Sequence, residues 1–205
     1  MFQDFTIMKY TIIAKVLYMI PLLRKIMDYL AIVRHGHVAP DGRLSSMGQA
    51  SLDILGQSIE RYVTDAGSNS MSESLIVSSS APRATESSER LAHRLNSEGI
   101  FGDDFLWTGP DAPMPYDREH GQIDRPFTYI REHGDDYGLI VLVTHLELCQ
   151  DFPPEFTEEN YEIPETSEKL SFAELNRGEA YLLDLDKGLW LKMPDCDVVY
   201  KNLGK

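Results

Sequence analysis

The 205-residue chain has only two cysteines, Cys149 and Cys196, too few for a disulfide framework, and no Cys/His spacing of the zinc-site type. A reduced, cytoplasmic setting is the expectation. Positive charge is also scarce. Nineteen Lys and Arg stand against 33 Asp and Glu, giving a net charge of −14. That deficit argues against a protein that tracks nucleic-acid phosphates and against a polybasic membrane-surface protein. There is no long hydrophobic run, because Tyr10 to Leu23 is broken by Lys15 and Pro21 and is too short to span a bilayer. No internal repeat and no Gly-rich phosphate loop of the Walker or Rossmann type is present. What remains, 42% hydrophobic and 25% charged, is ordinary globular composition, of a length that makes one domain with a full core.

Residues 1–26 differ from the rest. They carry a local net charge of +3, leaving −17 for the remainder. The sequence divides into this apolar, basic extension and a domain over 27–205. A signal peptide is disfavoured, since the segment runs almost directly into a core strand that cleavage would cut. The extension reads as a helix packed on the domain or as residues upstream of a start at Met27, both favoured over a weak membrane-surface anchor. No firm membrane association is expected.

Within the domain, Tyr29-Leu-Ala-Ile-Val33, Leu75-Ile-Val77 and Leu139-Ile-Val-Leu-Val143 are short apolar runs of buried-strand type. Between the first two, Ser45 or Ser46 is a plausible N-cap. Met47, Ala50, Ile54, Leu55, Ile59, Tyr62 and Val63 then recur at helical spacing. Pro82 suits a second helix start, Ala84, Ser88, Leu91, Ala92 and Leu95 make its stripe, and Gly99 suits its stop. Residues 102–123 read as irregular, 124–133 as a short helix, and 153–169, rich in Glu, Thr and Pro, as a long loop. Ala180–Leu185 and Leu189–Met193 flank Asp186-Lys-Gly188 and read as a terminal hairpin. This order predicts a three-layer α/β/α sandwich with a mostly parallel central sheet.

In such sheets ligands bind beyond the carboxyl ends of the strands. Arg34-His35-Gly36-His37 follows the first run, Ser78-Ser-Ser80 and Arg83 the second, and Thr144-His145 the third. Two Arg and two His thus converge on one edge of an acidic protein. Arg forks onto phosphate oxygens, and a neutral His is a nucleophile. Screening over about 8 Å at physiological salt lets that local set outweigh the total charge.

Four blocks at these strand ends carry a family resemblance: Ile32-Val-Arg-His-Gly36, Asp41-Gly-Arg-Leu-Ser-Ser-Met-Gly48, Ser78-Ser-Ser-Ala-Pro-Arg-Ala-Thr-Glu-Ser87 and Val143-Thr-His145. Together they resemble the histidine phosphatase (phosphoglycerate mutase-like) superfamily over roughly residues 28–193, with Ser45 where the family has Thr and Ser80 where it has Pro. The chain looks most like the small phosphohistidine phosphatase branch. The resemblance implies a phosphoglycerate mutase-like fold and a metal- and cofactor-independent phosphatase acting on a small-molecule phosphate ester or a phosphoprotein. It implies that His35 is the nucleophile and carries a phosphoryl group, that Arg34, Arg83 and His145 hold the phosphoryl oxygens, and that Ser45 belongs to the substrate-binding set. For the proton donor, Glu119 is the choice from the cluster Asp117-Arg-Glu-His-Gly121, with Asp117 and Glu147 as alternatives. Two other functions stay open: a phosphoglycerate mutase-type phosphotransferase, and a non-catalytic member that binds a phospho-ligand or a protein.

Overall fold

Alternation of buried apolar runs with helical stripes builds one sheet covered on both faces. A computed structural model describes residues 27–66, 74–97, 99–113, 123–161, 172–201 and 203. The extension 1–26 lies outside the described residues. The strands are β1 (Tyr29–Arg34), β2 (Ser74–Ser79), β3 (Gly99–Asp103), β4 (Leu139–Thr144), β5 (Ala180–Asp184), β6 (Leu189–Met193) and β7 (Asp197–Tyr200). The helices are α1 (Ser46–Asp65), α2 (Pro82–Leu95), α3 (Asp124–His133) and α4 (Leu146–Asn160), with a 3-10 turn at Asp104–Leu106. The strand order is β3-β2-β4-β1-β5-β6-β7. Strands β3, β2, β4 and β1 are parallel, and β5, β6 and β7 extend the sheet antiparallel.

Residues that alternate along a strand point to opposite faces, and β1 shows it. Leu30 and Ile32 pack in one core with Phe127, Phe152 and Trp190, whereas Tyr29, Ala31 and Val33 pack in the other with Leu52, Leu55 and Leu91. Full burial of each Leu, Ile, Val or Phe among them stabilises by about 1.5–3 kcal/mol.

The helix faces depart from the sequence stripe in one place. In α1 the buried residues are Gly48, Leu52, Leu55, Gly56, Ile59 and Val63, while Met47 and Ile54 are more than half exposed. The stripe is set by close approach: a Cβ on Gly48 would lie 2.3 Å from the His37 carbonyl oxygen, so only glycine lets this face meet the loop after β1. Helix α2 stops at Asn96, in the left-handed region at φ 49°, and not at Gly99, which opens β3.

Two further expectations are corrected. Residues 99–103, absent from the strands read in the sequence, form the edge strand β3, paired with β2 from Leu75↔Gly99 to Ser79↔Asp103. Residues 153–160, read as loop, are helical in α4 despite Pro153 and Pro154. An interior proline costs a helix about 3 kcal/mol. Burial of Leu148, Cys149, Phe152 and Phe156, with Phe127 4.8 Å from Phe152 and 5.7 Å from Phe156 between ring centroids, outweighs it. The helix 124–133 and the hairpin stand as read, but the hairpin is not terminal: β7, absent from the sequence reading, follows it and pairs with β6. Among the described residues no helix is long and apolar enough to cross a membrane.

Candidate active site

The site begins with strand register. Parallel pairing of β1 with β4 sets Arg34 opposite Thr144, so the next residues, His35 and His145, leave adjacent strands at the same level. His35 N–H donates to the Thr144 carbonyl at 3.0 Å. The two rings lie 5.1 Å apart between centroids, and both are buried.

Each ring is oriented by its partners. His35 Nδ1 lies 2.8 Å from the Gly36 carbonyl oxygen. A carbonyl only accepts, so Nδ1 carries the proton and Nε2 presents its lone pair. Arg83 Nε stands 3.3 Å from that Nε2. His145 receives Arg83 Nη2 at Nδ1, 3.2 Å away. Arginine has no acceptor, so Nε2–H of His145 donates to Ser79 Oγ at 2.9 Å. Burial, then the charges of Arg83, Arg177 and Arg34, push His35 down to about 4, against the opposing Gly36 bond. Burial, then His35 and Arg83, push His145 down to about 3. Both rings are neutral at pH 7.

The arginines arrive from different elements. Arg34, at the end of β1, donates to Glu174 at 3.3 Å and to the Leu175 carbonyl, while its buried Nε makes no hydrogen bond among the described residues. Arg83 comes from the first turn of α2. Two residues of its helix hold the loop after β1: Ser87 Oγ accepts from Gly36 N–H at 3.0 Å, and the Glu86 carboxylate accepts from Arg43 Nε and Leu44 N–H, both at 2.7 Å. The Asp41–Gly48 block and the Ser78–Ser87 block thus clamp each other.

A cleft of about 380 Å³ opens over Arg34, His35, Arg83 and His145, a volume of small-ligand size. Its rim adds Thr108, Asp111, Glu147 and Arg177. Thr144 Oγ1 donates to the Leu106 carbonyl at 2.6 Å, tying the segment that carries Thr108 and Asp111 to the end of β4. Gly178 N–H donates to the carbonyls of Arg34 and His35 at 3.0 and 3.1 Å, which brings the neighbouring Arg177 beside His35. Glu147, in the first turn of α4, accepts from Thr108 Oγ1 at 2.8 Å. Asp111 takes both terminal nitrogens of Arg83, and that pairing lowers its carboxyl to about 2.

The structure therefore brings together Arg34, His35, Arg83, His145 and Glu147. Ser45 does not line the cleft. Its hydroxyl caps α1, accepting from Gly48 N–H at 3.1 Å and donating to the His37 carbonyl at 3.0 Å, the cap role its place before the helix suggested. Glu119 and Asp117 lie outside the described residues. Asp111 and Arg177 were missed by sequence reasoning: one follows a Gly-Pro turn in a stretch read as irregular, the other precedes the hairpin, and neither carries a local signal. Ser79 sat within the strand-end Ser run without an assigned task.

No protein-family model matches the sequence, and no curated protein does. Solved structures do match. The chain is similar to the protein histidine phosphatase SixA complexed with tungstate, with 14% identity, a TM-score of 0.52, and coverage of 80% of this chain and 93% of that one. It is similar to a mycobacterial glucosyl-3-phosphoglycerate phosphatase in complex with inorganic phosphate, at 15% identity, TM-score 0.52, and coverage of 82% and 96%. It also resembles a phosphoglycerate mutase from Plasmodium falciparum, at 20% identity, TM-score 0.50, and coverage of 81% and 88%. The sheet and its flanking helices thus form a phosphoglycerate mutase-like fold, similar to that of these histidine phosphatase and mutase structures.

Proposed function

We propose that the protein is a metal-independent phosphatase that hydrolyses a phosphomonoester or a phosphohistidine through a phosphohistidine intermediate on His35. The observation that carries this reading is the buried, neutral His35 whose Nε2 lone pair faces Arg83 in the cleft while Nδ1–H is fixed on the Gly36 carbonyl.

In the first step the Nε2 lone pair attacks phosphorus and the bond to the leaving group breaks, P–O in an ester with the electron pair going to the leaving oxygen, or P–N in a phosphohistidine with the pair returning to the leaving imidazole nitrogen. The ring becomes cationic, and the Gly36 carbonyl on Nδ1–H stabilises it, so no base has to remove a proton from His35. Arg34 and Arg83 hold the phosphoryl oxygens, and His145, its one N–H given to Ser79, positions Arg83 through the Nδ1 lone pair. The buried Arg34 Nε, otherwise without a partner among the described residues, supplies one donor for them. Phosphoryl transfer is mainly positioning and electrostatic stabilisation, and this set supplies both.

The leaving oxygen takes a proton. Among the described carboxylates of the cleft, Glu147 is the donor in this reading: it stands in the first turn of α4, two residues after His145, with Thr108 Oγ1 on its carboxylate. Glu147, now ionised, then accepts a proton from the water that attacks the phosphohistidine. The P–N bond breaks, its electrons return to His35, and phosphate leaves.

The test is hydrolysis of p-nitrophenyl phosphate in the presence of EDTA, with His35→Ala alongside. Turnover by the wild-type protein and loss of at least a thousandfold in the variant are expected. Full activity in the variant, or dependence on an added metal, would sink the reading. The small size of the cleft favours a low-molecular-weight ester or one phosphorylated side chain, and the cysteine count favours a cytoplasmic setting.

A further inference from the structure

Among the described residues Arg83 is the one guanidinium in contact with both histidines, and its terminal nitrogens are already taken. Nη1 donates to Asp111 Oδ2 at 2.6 Å and Nη2 to Oδ1 at 2.9 Å. This two-point grip on a carboxylate is the grip a guanidinium makes on two oxygens of a phosphoryl group. The remaining contacts of Arg83 go to His35 Nε2 at 3.3 Å and His145 Nδ1 at 3.2 Å. The carboxylate therefore sits on the donors that a phosphoryl group attacked by His35 needs.

Asp111 reaches this place from a turn. Gly109 has φ +113°, Pro110 follows, and the Asp111 side chain is 52% exposed. Rotation of that side chain into water costs no core contact. The Trp107 side chain lies beside it, and the cleft it borders is lined also by the end of β1 (Arg34, His35), the start of α4 (His145, Glu147) and Arg177 before β5.

We propose that Asp111 is a tethered competitor for the phosphoryl site: substrate enters by displacing its carboxylate from the Arg83 fork, and every anion that binds there loses affinity by the same factor. The proposal rests on the phosphatase reading above. A carboxylate carries one negative charge. The fraction of molecules with the fork free scales the affinity of a phosphomonoester and of a phosphodiester alike. A dianionic phosphoryl group carries a second charge, which Arg34 and Arg177 face. No covalent bond is made or broken in the exchange. Because its partner keeps Asp111 charged far below neutral pH, the competition runs at full strength throughout the working range.

The experiment is calorimetric titration at pH 8 with inorganic phosphate, a dianion there, and with dimethyl phosphate, a monoanion. Wild type is compared with Asp111→Asn and Asp111→Ala, each checked for folding by circular dichroism. The Ala variant covers the case in which the Asn amide oxygen re-pairs with Arg83. Phosphate and dimethyl phosphate are both expected to bind at least tenfold more tightly to a variant than to wild type, by the same factor, because each displaces the same carboxylate. No gain in either variant, or a larger gain for the dianion, as through-space repulsion by Asp111 would give, overturns the proposal. Absence of wild-type hydrolysis would overturn the phosphatase reading instead, and the binding constants would still decide the role of Asp111.

Discussion

The ring of His145 stands 5.1 Å from that of His35, inclined at 61°, and Arg83 bonds to both. Two imidazoles this close, beside a guanidinium and out of water, resist protonation together. In an NMR titration the His35 ring resonances are expected to keep their neutral positions to pH 5, with a midpoint near 4 in place of the usual 6.5. A His35 midpoint above 6 would contradict this electrostatic picture.

The same shifts bear on stability. The unfolded chain protonates His35 and His145 near 6.5, the folded one only near 4 and 3. Between those values the unfolded state binds more protons, so stability falls as pH drops below about 6.5 and rises as pH rises through the window. For His35 the full effect is about 3 kcal/mol. Urea unfolding of His35→Asn is expected to lose less stability than wild type between pH 6.5 and pH 4.

Ser79 is a positioning residue. It accepts from His145 Nε2–H and also from Ala81 N–H at 3.2 Å. Ser79→Ala leaves the His145 ring free to turn from Arg83. A fall in kcat of about tenfold, corresponding to about 1.4 kcal/mol, with KM changed less than threefold is expected in steady-state kinetics. An effect confined to thermal stability would reduce Ser79 to a structural residue.

Glu86 holds the loop that contributes Val38 and Gly42 to the cleft wall. Glu86→Gln weakens the bonds to Arg43 and Leu44. A loss of about 1–2 kcal/mol in denaturant unfolding and a raised KM are expected, with kcat nearly unchanged.

Gly48 and Gly102 make a matched pair. A Cβ on Gly48 would meet His37 backbone atoms at 2.3 and 2.8 Å, while one on Gly102 meets nothing within 4 Å. Gly48→Ala is expected to cost about 1–3 kcal/mol, a fall of several degrees in Tm. Gly102→Ala is expected to leave Tm within about a degree.

Local patterns made much of this legible. The three apolar runs became β1, β2 and β4, the 180–193 hairpin became β5 and β6, and Ser45 became a cap because Ser before a helical stripe meets the first free N–H groups. What escaped had no local signal. Strand β3 holds two glycines in five residues, a composition that weakens strands, and exists by pairing with β2. Helix α4 runs through two prolines because its aromatic residues are buried from outside the segment.

The sequence by itself determined that Arg34, His35, Arg83 and His145 follow strand ends or open a helix, because apolar periodicity and turn residues act over a few positions. Which strand ends become neighbours was decided only by the tertiary structure. The order β2-β4-β1 and the register Arg34↔Thr144 bring the two histidines side by side. The pairing of Asp111 with Arg83, 28 residues away in the chain, and the approach of Arg177 have the same origin. Charge contacts form between whatever groups the packed sheet brings within a few ångströms, and no spacing along a chain encodes that distance.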